Sequence, residues 1–92
     1  MTALHYAAFK GKEAIVDQLL HSNADIKAVD NDGGTALHWA ARSGKKAMVE
    51  QLLRAKANPD AVNNNGYTAA RWAELRGHHA LAQRLKEAQA KP

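Results

Sequence analysis

The chain is 92 residues long and 46% hydrophobic yet poor in aromatic rings, and it carries a formal net charge of +4 without a single cysteine. That length accommodates one small domain whose core is marginal on surface-to-volume grounds, and the lack of cysteine excludes disulfides as its reinforcement. No apolar stretch is long enough to span a bilayer and no charged segment leads into an apolar run after Met1, so membrane-spanning and secreted classes are set aside.

Thr2 opens an Ala/Leu-rich run that stops at Gly11. A hydroxyl directly before such a run is a helix N-cap and the glycine is a stop, which predicts a first short helix. A second helix is predicted over residues 12–21, where Ile15, Val16, Leu19 and Leu20 fall on one broad apolar face. Asp30-Asn31-Asp32-Gly33-Gly34 follows as a tight turn, because Asp-Gly suits the positive φ that such turns require. Thr35 then restarts the sequence of events. A helix runs to Gly44, a second covers residues 45–54 with Met48, Val49, Leu52 and Leu53 inward, and Asn63-Asn64-Asn65-Gly66-Tyr67 closes the unit. Thr68 begins a third copy with a glycine at Gly77 and a last helix over residues 79–90. Residues 2–34 overlay residues 35–67 without a gap, and more than half of the aligned positions are identical. Dense identity at a fixed 33-residue spacing makes the chain an array of repeats, each a turn plus two antiparallel helices.

TALH followed by Ala-Ala at Thr2 and Thr35, the glycines Gly11 and Gly44, the pairs Leu19-Leu20 and Leu52-Leu53, and the closing Asp- or Asn-rich turn resemble the ankyrin repeat. The resemblance covers essentially the whole chain. It implies an all-α fold, a solenoid of stacked helix-turn-helix units joined by β-turn or hairpin loops. The units divide as residues 1–31 (an incomplete first repeat), 32–64 (a full repeat) and 65–92 (a closing repeat). Alanine stands at Ala3, Ala36 and Ala69 where the family has proline, and Asn23 and Lys56 stand where glycine usually ends the second helix. Lys27 and Asp60 replace a family asparagine. If Lys56 adopts the left-handed conformation, it costs about 1 kcal/mol relative to glycine.

The third copy departs in one direction. Leu37 becomes Ala70, His38 becomes Arg71, Ala41 becomes Glu74, Val49 becomes Ala82 and Leu53 becomes Lys86. Small or charged groups replace apolar contacts, as a soluble solenoid end requires, with residues 89–92 expected to fray. The first copy shows nothing similar. Leu4, Ile15 and Val16 are full core residues without a preceding unit, so the sequence reads as the C-terminal part of a longer array, or as a unit that self-associates.

For His5 and His38 the resemblance implies a structural bridge between helix start and neighbouring turn. The pair His78-His79 is sequential and lacks the i, i+4 spacing of a zinc site. Catalytic nucleophiles are few, with Ser22 and Ser43 the only serines and the threonines serving as caps. Asp30 and Asp32 read as residues of an exposed turn. No enzyme activity, cofactor or metal is therefore expected. By family analogy a partner binds on the concave face, where turn tips join the first helices. The implied positions are Tyr6, Phe9 and Lys10 in the first unit, and Asn31, Asp32, Gly34, Trp39, Arg42 and Ser43 in the second. Asn64, Asn65, Tyr67, Trp72, Leu75 and Arg76 complete the set. Tyr6, Trp39 and Trp72 share one slot, and two readings of it stay open, an inter-repeat packing stripe or an aromatic ladder offered to a partner. A second column is basic: Lys10 and Lys12, then Arg42, Lys45 and Lys46, then Arg76 with His78 and His79. It reads either as a solvated rim or as a docking edge for an acidic segment. The expected function is protein–protein interaction, as adaptor, scaffold or regulator, inside the cell in cytoplasm or nucleus. The alternatives are nucleic-acid binding through the basic rim, against which the small excess charge argues, and a purely structural end cap.

Overall fold

Three threonines, each just ahead of an alanine-rich run, start the inner helices. A computed structural model describes residues 2–90; its helices are α1 (Ala3–Lys10), α2 (Glu13–His21), α3 (Ala36–Ser43), α4 (Lys46–Arg54), α5 (Ala69–Leu75) and α6 (His79–Ala90), with no strand among the described residues. Thr2, Thr35 and Thr68 are extended N-caps whose hydroxyls accept the backbone N–H of His5, His38 and Arg71, respectively. In α1 and α3 the histidine side chain returns the bond to the cap backbone, closing a capping box. Arg71 lacks that return bond, so α5 is capped from one side only.

The helices end where the backbone turns left-handed. Gly11 and Gly44 adopt φ of 73° and 72°, and the next N–H reaches back to the helix, Lys12 to the Ala7 carbonyl at 2.9 Å and Lys45 to Ala40 at 3.1 Å. The second helices close through non-glycine residues, Asn23 at φ 67° and Lys56 at φ 74°. Asparagine tolerates that conformation because its short amide bonds locally, whereas lysine meets the full Cβ–carbonyl crowding.

Helix α1 packs on α3 and α3 on α5, while α2, α4 and α6 each pack behind the inner helix of their own pair. Alanines make this close approach possible: Ala7, Ala8, Ala36, Ala40, Ala41, Ala69, Ala70 and Ala73 are all buried along the inner row. Leu4, Leu37, Val16, Met48, Val49, Leu52, Leu81 and Leu85 fill the space between inner and outer rows. Ile15 is the exception among the expected core residues. It remains 47% exposed, because the helix that faces it from one side in later units has no counterpart beside α2. At the other end the outer surface is charged, with Lys86 pairing with Glu74 at 3.1 Å. Helix α6 runs through Gln89 to Ala90, and Lys91 and Pro92, the rest of the segment expected to fray, lie outside the described residues.

Replacing Lys56 by glycine removes a left-handed β-carbon and should raise unfolding free energy by about 1 kcal/mol. Asn23→Gly should gain much less. Urea denaturation of both variants checks this, and a Lys56→Gly protein less stable than the parent contradicts the strain argument.

Candidate functional site

The site grows from the turn between the first two helix pairs. Asp30 Oδ1 accepts the N–H of Asp32 and of Gly34, both at 2.9 Å, which folds the turn around its own first residue. Backbone bonds from Asp30 N–H to the Gly34 carbonyl (2.9 Å) and from Gly33 N–H to the Asp30 carbonyl (3.0 Å) close it. The other oxygen, Oδ2, accepts the Trp39 indole N–H at 2.6 Å. Asp30 is therefore half-buried and engaged, which corrects its reading as an exposed turn acid; Asp32 is exposed as expected. Burial pushes the Asp30 carboxyl up, but the bonds from Gly34, Trp39 and Asp32 together hold it below the ordinary carboxylate range. Asn63 occupies the same place one repeat later, buried, with Oδ1 accepting from Asn65 N–H (2.9 Å) and Tyr67 N–H (3.0 Å).

Each buried histidine ties its helix to the following turn. His38 Nδ1 accepts from the Thr35 N–H at 3.1 Å, and Nε2 lies 2.8 Å from the Tyr67 carbonyl. A backbone N–H only donates and a carbonyl only accepts, so the ring is the neutral Nε2–H form. His5 repeats the arrangement, Nδ1 to Thr2 and Nε2 to the Ala28 carbonyl at 2.9 Å. Burial pushes the His38 imidazole below its ordinary value of 6.5, against the opposing pull of the Tyr67 carbonyl and the Asp30 charge. Neighbouring turns are joined directly as well. Asn64 donates its N–H to the Asp32 carbonyl at 2.8 Å, and its side-chain amide reaches the Asn31 carbonyl at 3.3 Å.

These bonds set the inner face. The expected column of Tyr6, Trp39 and Trp72 does not stack ring on ring. Phe9 meets Trp39 edge-on with centroids 5.6 Å apart, and Tyr67 meets Trp72 edge-on at 6.4 Å. The Arg42 guanidinium lies 5.1 Å from both Trp39 and Trp72 and bridges the two indoles. The pattern is periodic: Phe9 and Arg42 are one repeat apart, and each packs on the tryptophan of the unit that follows. Leu75, next in that slot, has no following ring and is 50% exposed. Tyr6 is 58% exposed, with the Lys10 ammonium 5.8 Å from its ring centre. The packing stripe and the exposed ladder thus coexist, with rings locked in the middle and apolar side chains open at both ends. Between the indoles lies a small cavity of about 70 Å³ walled by Asp30, Asp32, His38, Trp39, Arg42 and Trp72.

The inter-helix turns also converge. Phe9, Lys10, Arg42, Ser43, Lys45, Arg76 and His78 surround one open cleft of about 530 Å³ on the rim. Asn31, Asp32, Asn64 and Asn65 lie apart from it, exposed at the turn tips. Lys45 and His78 belong to the basic column expected from the sequence, whereas Asp30 was not expected as a site member. The available signal for Asp30 was its position one repeat before Asn63, at the start of an equivalent turn. Among the described residues no three His, Asp or Glu side chains converge as metal ligands, and no helix is long and apolar enough to cross a membrane.

Asp30→Asn keeps an oxygen for the Asp32 and Gly34 N–H groups but sets its amide donor against the indole donor. Loss of that bond should cost about 1–3 kcal/mol and shift tryptophan emission to the red; Asp32→Asn should do neither. For His38, the unfolded chain takes up the proton first, so stability is present above about pH 6.5 and falls as pH drops below it. His38→Gln, which preserves a capping-box acceptor, should flatten that decline in thermal melts; an equally steep fall in the variant would contradict the assignment.

A family model described as ankyrin repeats (3 copies) matches residues 4–92. No curated protein shows a significant match to the chain. With its helix pairs, histidine bridges and turn-to-turn bonds at a fixed period, and with the match running through nearly all of its length, this chain belongs to the ankyrin-repeat family.

Proposed function

We infer that this chain binds rather than catalyses, since ankyrin repeats are in general protein–protein interaction modules. We propose that this chain acts as an adaptor, scaffold or regulatory module that captures a partner protein on its inner face. The observation that supports it most is the immobilised ladder Phe9–Trp39–Arg42–Trp72–Tyr67, flanked by exposed Tyr6 and Leu75. Rings and a guanidinium already held in place lose little rotamer freedom on binding, which is why tryptophan, tyrosine and arginine dominate interface energetics. Asn31, Asp32, Asn64 and Asn65 at the turn tips supply adaptable polar contacts around that centre. The reading carries an intracellular setting, cytoplasm or nucleus, which suits a chain without cysteine.

The rim cations favour a second reading, nucleic-acid binding. Phosphate-backbone contacts would make affinity fall steeply with salt, whereas a partner held on the aromatic ladder responds weakly.

A photo-crosslinking amino acid at Tyr6 should give a discrete protein adduct in cell extract. The same group at Gln83, exposed on α6, should give none, and Trp72→Ala should diminish the Tyr6 adduct. Equal labelling from both positions, or labelling indifferent to Trp72, would remove the inner face as the binding surface.

A further inference from the structure

The rim cleft holds positive charge that the rest of the chain does not neutralise. Lys10, Arg42, Lys45 and Arg76 line it, and no carboxylate does. Two cations elsewhere meet acids, Arg84 gripping Glu50 with bonds of 2.7 and 2.9 Å and Lys86 reaching Glu74 at 3.1 Å; what sets the cleft apart is that four cations share one space. Among the described residues, none of the cleft cations takes part in an ion pair, the pairs being His21–Asp17, Arg84–Glu50 and Lys86–Glu74. Arg42 is the sharpest case. Its guanidinium is fixed by two indoles, and its Nε is buried without a hydrogen-bond partner.

The walls of the cleft are set by contacts between repeats. The Lys45 methylenes lie across Gly11, where an added β-carbon would come within 3.2 Å of Lys45 Cδ. The His78 ring lies across Gly44, where a β-carbon would meet its Cε1 at 2.6 Å. Larger residues at either glycine would displace these side chains, so the backbone conformation and the cleft depend on the same two positions. Phe9 adds an apolar wall beside the charges.

We propose that this cleft binds a phosphorylated side chain on a peptide segment of the partner protein. A phosphomonoester near neutral pH carries close to two negative charges on three acceptor oxygens, a match for guanidinium forks and ammonium points gathered within about 530 Å³. That volume exceeds a bare anion and accommodates the residue that bears it, with Phe9 against its apolar part. A run of carboxylates delivers half the charge per group. Nucleic acid fits less well. The indoles that would stack bases are already engaged by Phe9, Arg42 and Tyr67, and a backbone continuing over the inner face would meet Asp30 and Asp32. The inference rests on the reading of the chain as a protein-binding module and adds the chemistry of what it binds.

The test is an amide NMR titration of the full chain with a peptide pool carrying a central phosphoserine between degenerate flanks. The unphosphorylated pool, inorganic phosphate and a short single-stranded RNA are titrated in parallel. The phosphorylated pool should bind at least about tenfold more tightly than its unphosphorylated counterpart, the worth of one charge-assisted bond. Its shifts should centre on Lys10, Ser43, Lys45 and Arg76. Lys45→Glu/Arg76→Glu should abolish the difference between pools without altering the thermal melt, since both side chains are exposed, and Arg76→Gln alone should reduce it. Equal affinity for the two pools, shifts centred elsewhere, tighter binding of RNA, or inorganic phosphate binding as strongly as the phosphopeptides would each overturn the assignment. If the Tyr6 adduct forms while the parent chain binds the two pools alike, this inference falls and the inner-face reading stands. If the adduct is absent while the pools differ, the reverse holds.

Discussion

The register of this stack depends on one bridging imidazole in each of its first two units. His38 joins three things that would otherwise be separate, the start of α3, its threonine cap and the turn that begins the next unit. It does so only while uncharged, because Nδ1 must accept from a backbone N–H as Nε2–H donates to a carbonyl. The Tyr67 carbonyl also accepts the Asn63 N–H at 3.0 Å, so the imidazole adds a second bond that ties α3 to a turn already closed on itself. The bridge is repeated at His5 and is absent at Arg71, where the cap is held from one side only.

Once the turns are held in register, the inner face follows by repetition. A residue three positions after the aromatic slot lies against the tryptophan of the following unit, which is why Phe9 finds Trp39 and Arg42 finds Trp72. Arg42 contributes twice. It bridges two indoles, a contact of about 0.5–2 kcal/mol for each face, and it divides the acidic turn side from the basic rim. Asp30 anchors the same ladder from the opposite side through the Trp39 indole. Charge is therefore sorted across the inner face by packing, with the aromatic row as the boundary.

Much of this was legible in the sequence, because period, caps and stops are local and steric. Thr2, Thr35 and Thr68 as caps and the convergence of the basic turns follow from one-dimensional spacing plus stacking, while the left-handed Asn23 and Lys56 follow from the resemblance, which places glycine there. What escaped was the offset between stacked helices. Identical slots suggested Tyr6 against Trp39, whereas the helices are displaced enough that Phe9 takes the contact and Tyr6 stays open. Asp30 escaped for a related reason. An Asp in a Gly-rich turn reads as solvated, and only the neighbouring indole, nine residues on, draws it inward. Ile15 reads as core by pattern, yet of the three residues without a preceding unit it alone is exposed, Leu4 and Val16 being covered within the described helices.

The rim presents the opposite problem, because nothing in folding asks for it. Arg84–Glu50 shows that this chain can seat a cation in a bidentate pair between repeats, at a cost in side-chain entropy that the geometry offsets. At the inter-helix turns the same chain gathers Lys10, Arg42, Lys45 and Arg76 without one acid among them. Like charges around one cleft repel, and screening by salt only weakens the penalty. The glycines that end α1 and α3 require only a left-handed backbone and room for Lys45 and His78, not a positive charge on each flank. A concentration of unpaired cations that stability does not explain, fixed by packing that stability does explain, is what a preorganised anion site looks like before its ligand arrives.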